Sequence, residues 1–453
     1  MNKTTLRREG IVSRPIGREL VKLTLPMLYA LVAIMGLGLV DSFFISFLGT
    51  PQLAAIGFII PITSTINSLG LGMGMAVSSL NSKLIGAQRM DEAARLITDG
   101  FYLTALIALL ANAALFWQLD TVFSLMGASI ATRDFIDAYM HIWIVAGPLA
   151  MLTMVAASTF RSLGDTHTSA KITISMTVCN MLLDPLLIFG LGPIPAMGMQ
   201  GAALATVLAI TLGCSIGMYQ LAFVERLLLR AVPLWRDFKH NLAALMEIAT
   251  PAVLANAIIP LTAAVLTRLV AEFGTDAVAG FGVGARIEAF SLLIVYALSS
   301  TLPMFIGQNL GAQKPERVRA AIDIAFRFVL LLQLAIYVVL ALGGPVIAGW
   351  FSDSPAVQQT IIQFLWIVPL SNGLTGVVVL INVAVNVLGR PKLALYINIA
   401  RLCVFYVPMA WIGGQLGGLM GLYIGIAAGN CAAWLLAITL LKRTLKQVGV
   451  PAN

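Results

Sequence analysis

Residues 31–49 read LVAIMGLGLVDSFFISFLG, an apolar run whose single ionisable residue is Asp41. About 20 helical residues cross the ~30 Å hydrocarbon core of a bilayer, so this run is long enough to form a membrane span. A carboxylate at the centre of such a helix costs about 3 kcal/mol, and an ionisable residue there usually marks an ion or proton path. The stretch therefore predicts a transmembrane helix and, within it, a candidate functional residue.

The whole chain shares this apolar character. Of its 453 residues, 59% are hydrophobic and 11% are charged, and the mean hydropathy is +0.94. A soluble domain of this composition would expose much of its apolar surface to water, which excludes that class. Apolar windows of span length recur from end to end without strand-like alternation, which favours helices over a closed barrel. The sequence predicts an all-α integral membrane protein with twelve transmembrane helices in the lipid bilayer.

The basic residues indicate an orientation in the membrane rather than a nucleic-acid partner. The net charge is +8, but Lys and Arg are not gathered into one patch with interleaved aromatic residues. Most of them fall on one side of the membrane if the N-terminus is cytoplasmic, and Arg133 alone falls in an outer loop. The basic N-terminus leads directly into a full-length span without a cleavage site. We therefore expect both termini to be cytoplasmic and no nucleic acid to bind.

The two halves of the chain repeat each other at a shift of 225 residues. This shift places Pro26 on Pro251 and Gly86–Gln88 on Gly311–Gln313. With six spans in each half, corresponding spans run in the same direction, as in a parallel repeat about an axis along the membrane normal. We expect two six-helix lobes around a central cleft. The predicted organisation is an N-terminal lobe at 1–224, a cytoplasmic linker at 225–242 and a C-terminal lobe at 243–453.

A second carboxylate, Asp184, lies in the fifth span within TISMTVCNMLLDPLLIFG. Asp41 and Asp184 are at similar depths near the outer ends of their spans, so they could meet. Asn180 is one turn before Asp184 on the same helix face, and Thr206 of the sixth span could reach the same depth. Such a group of oxygen atoms could exchange protons, because neighbouring buried carboxylates repel each other, or it could bind Na⁺. The residues alone do not choose between these ions.

The carboxylates occur in one half only. At the repeat shift, Asp41 meets Leu266 and Asp184 meets Met409. The alternative is that each aspartate only accepts hydrogen bonds that tie helices together, although Ser or Thr would do this at a lower cost. For Asn180 and for Thr206, packing between helices is a nearly equal alternative to a direct role as a ligand.

Other features within the spans give weaker predictions. Arg286 and Glu288 are two residues apart, so they point to different helix faces, and each needs another partner. Arg401 of the eleventh span could pair with Glu288, or its long side chain could reach the inner membrane surface. These three are candidate charges of the cleft or the lobe interface, against the alternative of a structural ion pair. Pro26 is a candidate hinge because a proline frees a backbone carbonyl within a helix, and a static kink is the alternative.

The chain resembles the multidrug and toxic compound extrusion (MATE) transporters in four motifs that occur in the same order. These are VDSFFISFLGTPQLAAIG (40–57), RSLGDTHTSAKI (161–172), CNMLLDPLLIFG (179–190) and GMQGAALAT (198–206). The resemblance covers essentially the whole chain. It is strongest to the prokaryotic branch called DNA-damage-inducible protein F-like, which implies a location in the prokaryotic plasma or inner membrane.

In that branch, an acid on the first helix, Asn and Asp on the fifth and Thr on the sixth form the coupling site. Asp41, Asn180, Asp184 and Thr206 occupy these places, so the resemblance implies uptake of H⁺, or binding of Na⁺, at these four residues. The NorM branch also carries acids on its seventh and tenth spans. Here the seventh span has acids only at its two ends and the tenth has none, which argues against a sodium site in the C-terminal lobe.

The resemblance further implies a secondary active antiporter. Such a protein exports amphipathic, often cationic, drugs and dyes through a V-shaped cleft by alternating access, as a monomer and without a cofactor. The main alternative is a flippase for lipids or lipid-linked sugars of the same superfamily. No nucleophile with its base and no set of metal ligands points to an enzyme, and no repeated filter sequence points to a channel.

Overall fold

The computed structural model describes residues 3–128, 130–229 and 235–450, and these residues form helices with no β-strand among them. In chain order the helices are α1 (Lys3–Ser13), α2 (Ile16–Ser46), α3 (Thr50–Gly86), α4 (Met90–Leu125), α5 (Ile130–Ser162), α6 (Thr166–Phe189), α7 (Gly198–Tyr219), α8 (Trp235–Ala271), α9 (Thr275–Ser291), α10 (Leu293–Gly311), α11 (Pro315–Phe351), α12 (Pro355–Ile367), α13 (Asn372–Val387), α14 (Pro391–Ile399) and α15 (Val407–Gln447). Segment Ala400–Tyr406 is π-helical and joins α14 to α15. The predicted all-α class is confirmed.

Eleven helical stretches among the described residues are long and apolar enough to cross a membrane. The last of them, Pro391–Gln447, has 57 residues, which as one helix would be ~85 Å long and far exceed one crossing. Gly417 and Gly418 within it have non-helical backbone angles. A Cβ atom on Gly413 would overlap the carbonyl oxygen of Gly421, so the chain folds back here with its two arms in close contact. This stretch therefore supplies two crossings, which completes the twelve predicted spans.

Two spans of the C-terminal half are interrupted near their middles. Leu292 separates α9 from α10, and the 3₁₀ turn Val368–Ser371 separates α12 from α13. Asn372 Nδ2 donates to Ser291 Oγ at 3.2 Å, which links the two interruptions. Gln333 Nε2 of α11 donates to the carbonyl oxygen of Ser291 at 2.8 Å. The carbonyl and hydroxyl groups of Ser291 and the NH₂ group of Asn372 therefore find partners within the protein, as hydrocarbon requires.

The chain divides into two compact units. The first comprises Met1–Gly10 and Lys22–Val253, and an apolar cluster around Ile59, Phe123 and Ile188 forms part of its core. Several members of this cluster also line the candidate site described below. The first unit therefore holds its polar site inside an apolar core, where charge is weakly screened.

The second unit comprises Ile11–Val21 and Leu254–Asn453. Phe364 and Tyr423 are among its largest buried side chains, and their rings are 5.3 Å apart in an edge-to-face arrangement. The carbonyl oxygen of Ile11 accepts hydrogen bonds from Asn309 Nδ2 at 3.4 Å and from Arg317 Nη2 at 3.0 Å. These bonds explain why the short segment that follows Gly10 groups with this unit.

The division between the units does not coincide with the linker that the sequence predicts at 225–242. Residues 230–234 of that linker lie outside the described residues. The division falls after Val253, within α8, because Leu245 and Ile248 of α8 pack into an apolar cluster of the first unit.

Candidate functional site

A cavity of about 320 Å³ lies in the first unit. Its polar lining includes Asp41 of α2, Tyr139 of α5, Asp184 of α6 and Thr206 of α7. The rest is mostly apolar, and no Lys or Arg lines it among the described residues. The structure therefore brings together the two aspartates and the threonine that the sequence singles out, and it adds a tyrosine.

The carboxyl groups of Asp41 and Asp184 are within hydrogen-bonding reach of each other. Asp184 is 2% exposed and Asp41 is half-buried. Asp41 Oδ1 and Asp184 Oδ2 are buried and accept no hydrogen bond from a donor among the described residues. Two carboxylates this close repel each other. Protonation of one carboxyl group, which could then donate a hydrogen bond to the other, or binding of a cation would therefore stabilise the pair.

Asn180 lies behind the cavity rather than in its lining. It is 3% exposed, and its Nδ2 donates to Asp184 Oδ1 at 3.3 Å. This bond follows from their spacing of four residues on α6, which places both side chains on one face. When Asp184 is a carboxylate, which only accepts hydrogen bonds, Asn180 presents its NH₂ group to it, as observed here. Asn180 therefore orients Asp184 and stabilises its charged form.

The close approach of α6 and α7 holds Thr206 beside the carboxyl groups. A Cβ atom on Gly201 of α7 would overlap the carbonyl oxygen of Leu187 on α6, so only glycine permits this approach. Thr206 Oγ1 donates to the carbonyl oxygen of Ala202 at 3.0 Å, which leaves its lone pairs available to accept. The threonine can therefore serve as an acceptor or a ligand without a change of rotamer.

Tyr139 is a further site residue, one that the sequence pattern does not single out. Its hydroxyl group is within hydrogen-bonding reach of the Thr206 hydroxyl and near both carboxyl groups. Because Thr206 gives its own hydrogen to Ala202, the Tyr139 hydroxyl can donate its single hydrogen to Thr206 at the edge of the carboxyl pair. The repeat holds a signal that could have found it, because at the shift of 225 residues Tyr139 meets Phe364 and only the first half has the hydroxyl.

The other singled-out residues lie away from this cavity. Pro26 is within α2, fifteen residues before Asp41, which corresponds to ~22 Å along the helix. In the second unit, Glu288 and Arg401 are close enough to interact electrostatically, and Tyr296 is near both. Arg401 Nε is buried and has no hydrogen-bond partner among the described residues.

Arg286 is exposed within the second unit. The structure thus brings Glu288 and Arg401 together and leaves Arg286 apart from them, as their opposite helix faces predict. A role of these charges at the cleft stays a prediction.

Comparison with known proteins gives consistent likenesses. A family model described as MatE matches residues 26–186 and 251–412, one match in each half. A protein named FAD transporter from Shewanella oneidensis is 37% identical over 441 residues, which cover 97% of this chain and 98% of that protein. Multidrug export protein MepA of Staphylococcus aureus is 23% identical over 436 residues, with 95% of this chain and 94% of that protein covered. The crystal structure of the Vibrio cholerae MATE transporter VcmN in the bent form has a TM-score of 0.90 and 32% identity, and it covers 98% of this chain and 99% of that chain.

Proposed function

Because the chain belongs to the MATE family of membrane transporters, we propose that it exports amphipathic organic molecules in exchange for H⁺ and that Asp41 and Asp184 carry the proton. The observation that carries this proposal is the carboxyl pair, which lies in an apolar cavity with no basic residue in its lining. An uncompensated pair of this kind takes up a cation readily and releases it when the surroundings change, which is what coupling to an ion gradient needs.

The proposed coupling ion is H⁺ rather than Na⁺. Sodium would be held by oxygen atoms, and Asp41, Asp184 and Thr206 could supply them. Asn180, however, does not line the cavity and donates its NH₂ group to Asp184, so it supplies no oxygen ligand there. A proton between the two carboxyl groups needs no further ligand, and Asn180 then supports the carboxylate that remains.

The proposed cycle couples the carboxyl pair to the shape of α2. Protonation would remove the repulsion between Asp41 and Asp184 and allow α2 to move, with Pro26 as the hinge because no hydrogen bond closes the turn before a proline. The existence of a bent form of VcmN supports such a hinge in a relative. Movement of α2 would narrow the cavity and release the substrate on the outer side.

The topology belongs to the same proposal. If the segments rich in Lys and Arg are on the cytoplasmic side, both termini would be cytoplasmic. The carboxyl pair would then lie toward the outer face of a prokaryotic plasma membrane. The lobes would be residues 1–224 and 243–453, joined by 225–242, in a monomer.

Drugs and dyes of amphipathic, often cationic, character are the proposed substrates. The multidrug export proteins among the relatives support this class, and the apolar lining of the cavity with its negative carboxyl pair suits it. The second candidate is a flavin nucleotide, which the FAD transporter supports by its 37% identity over nearly the full chain. Its phosphates would need a cation such as Arg286, which is exposed and forms no hydrogen bond or ion pair with the described residues.

Proteoliposomes with one imposed gradient at a time test the proposal. We expect a proton gradient to drive uphill movement of ethidium and a sodium gradient alone to have little effect. FAD is offered to the same vesicles, and its transport in place of ethidium would favour the second candidate. Movement of neither compound under either gradient would contradict antiport, and movement under sodium alone would contradict the choice of H⁺.

Tyr139→Phe tests the residue that the structure adds to the site. Loss of the hydroxyl removes the donor beside Thr206 while the ring keeps its packing, so we expect normal folding and slower proton-driven export, by about threefold to tenfold, in line with the loss of one hydrogen bond worth about 1 kcal/mol. The measurement is the initial rate of ethidium efflux at several external pH values. Tyr102→Phe on the exposed side of α4 is the matched control, and equal rates in all three proteins would remove Tyr139 from the mechanism.

A further inference from the structure

One face of α6 carries a continuous stripe of polar side chains. Successive members are three or four residues apart, as neighbours on one helix face are, and they are Thr166, Ser169, Thr173, Thr177, Asn180 and Asp184. From Thr166 to Asp184 the stripe rises about five helical turns, or ~27 Å. Because Asp184 belongs to the carboxyl pair, the stripe leads from the candidate site to the N-terminal end of α6.

The stripe is buried in the protein. Ser169 and Thr177 are fully buried, and Asn180 and Asp184 are 3% and 2% exposed. Leu182, on the opposite side of the helix, is exposed. Polar groups of a membrane-spanning helix avoid hydrocarbon in this way. Where they continue from an ionisable residue toward one end of the span, they can line a proton relay.

Thr177, in the middle part of the stripe, has a hydroxyl group without a partner. Its side chain is fully buried, and its Oγ1 atom forms no hydrogen bond with the described residues. Thr173, one turn earlier, bonds as threonines in helices usually do, since its Oγ1 donates to the carbonyl oxygen of Ser169 at 3.3 Å. A buried hydroxyl group of this kind is costly unless a water molecule bonds to it. Thr177 therefore indicates a water site one turn from Asn180.

Arg161 of α5 lies at the N-terminal end of the stripe. Its Nη1 donates to Ser169 Oγ at 3.1 Å and its Nη2 to Ser158 Oγ at 2.5 Å. Among the described residues no carboxylate forms an ion pair with Arg161, whereas Arg7 and Asp165 at the same end pair with each other at 2.7 Å. An arginine in a narrow polar path is an electrostatic barrier to protons. The stripe thus joins a proton acceptor at one end to a barrier at the other.

We propose that the polar face of α6 holds a file of water molecules that carries the proton from Asp184 to the N-terminal end of the helix. This proposal rests on the proposed function, in which Asp184 must release its proton on the cytoplasmic side, where α6 begins in the proposed topology. Neighbouring stripe members are ~5–6 Å apart, a gap that one bridging water can span. The Thr177 hydroxyl accepts a hydrogen bond from one water and donates to the next.

The transfer leaves Asp184 as a carboxylate, which the hydrogen bond from Asn180 stabilises. Each water accepts one proton and passes on another, and the last water gives its proton to the solvent, so that only charge moves along the file. The charge of Arg161 keeps this transfer slow in the resting structure and so limits uncoupled leak. A shift of its side chain away from Ser169 during the cycle lets the proton leave.

Thr177→Val tests the file, because valine keeps the shape of threonine and lacks the hydroxyl group. We expect proton-driven efflux of ethidium from proteoliposomes to fall about fivefold or more, as loss of one relay hydrogen bond allows. Counterflow without a gradient should be unchanged, and Thr177→Ser should restore the proton-driven rate. The ratio of rates in H₂O and D₂O should rise in Thr177→Val, since proton transfer then limits the cycle. Melting curves establish that each variant is folded.

Thr211→Val on α7 is the matched control, because its hydroxyl group is exposed, and it should behave as the unaltered protein. Equal proton-driven rates and isotope ratios in Thr177→Val and the unaltered protein would overturn the file alone. An equal fall in export and counterflow would overturn it too, since that result indicates altered packing. Export by the unaltered protein that ignores the proton gradient would instead contradict the proposed function and, with it, the file.

Arg161→Gln tests the barrier without any substrate. In vesicles that contain a pH-sensitive dye, we expect passive proton entry to rise about threefold or more, because the positive charge that opposes it is gone. Arg161→Lys keeps the charge and should stay tight. In Thr177→Val/Arg161→Gln the leak should return to the level of the unaltered protein. A leak that persists in this double variant, or no leak in Arg161→Gln, would contradict a proton path along α6 with Arg161 as its barrier.

Discussion

Asp41→Asn and Asp184→Asn should each abolish gradient-driven export, with the initial rate lowered at least about tenfold, or about 1.4 kcal/mol. An amide has nearly the shape of a carboxyl group, but it neither takes up nor releases a proton. Because the two carboxyl groups are within hydrogen-bonding reach of each other, an amide at either position also removes their repulsion permanently, so the position of α2 no longer depends on protonation of the pair. The measurement is uphill efflux of ethidium from proteoliposomes of matched protein content.

Counterflow separates loss of coupling from loss of binding. Exchange of labelled for unlabelled substrate without an ion gradient needs the binding site but not the uphill step, so a variant that loses only coupling retains part of its counterflow. Asp91→Asn, at an exposed position in the first turn of α4, is the matched control and should behave as the unaltered protein. Uphill export at the unaltered rate in both site variants would contradict the assignment of the proton to this pair.

The sequence predicts most of this site because its chemistry violates the surrounding apolar pattern. A carboxylate in a span is costly, so Asp41 and Asp184 are visible without a structure, and helix spacing places Asn180 beside Asp184. The role of Asn180 as a donor behind the cavity is not visible, since the spacing fixes a helix face but not which atoms meet. Tyr139 is hidden for a different reason, because a tyrosine near the end of a span is common at the membrane interface.

The fold is predicted at the level of spans and less well within them. Apolar windows locate twelve crossings, but a window average cannot show the interruptions at Leu292 and Val368–Ser371, where the chain stays apolar while its backbone hydrogen bonds change. In the sequence, Ser291 and Asn372 are the polar residues that mark these two interruptions. Both are ordinary residues of transmembrane helices, and only the structure shows that they bond to each other.

The buried polar residues of the two halves lie at positions that do not align with each other in the repeat. When the halves are aligned at the shift of 225 residues, Asp41 corresponds to Leu266 and Asp184 to Met409. The polar residues Ser291, Gln333 and Asn372 of the second half correspond to Ile66, Ala108 and Gly147. The polar cluster of the first half is charged, and the one in the second half consists of amides and a hydroxyl that hold interrupted helices together. The two halves thus share a similar frame, and different positions in it carry the carboxyl pair and the hydrogen-bonded amide network.

Gly201→Ala should be strongly destabilising although it adds a single methyl group to a helix. At most helix positions alanine is more favourable than glycine by about 1 kcal/mol. Here the new Cβ atom would overlap the carbonyl oxygen of Leu187, which belongs to the backbone of α6 and cannot move aside as a side chain could. The helices α6 and α7 must separate instead, and we expect a net loss of about 3 kcal/mol, at the upper end for overpacking.

The thermal midpoint in detergent and the yield of monodisperse protein measure this loss. Gly36→Ala is the matched control, because a Cβ atom on Gly36 of α2 would meet nothing within 4 Å, so its midpoint should be unchanged or higher. If Gly201→Ala folds at low temperature, its uphill export should fall further than its folded fraction, since separation of α6 from α7 also moves Thr206 away from Asp184. A midpoint and an export rate equal to those of Gly36→Ala would show that the contact between Gly201 and Leu187 does not position the site.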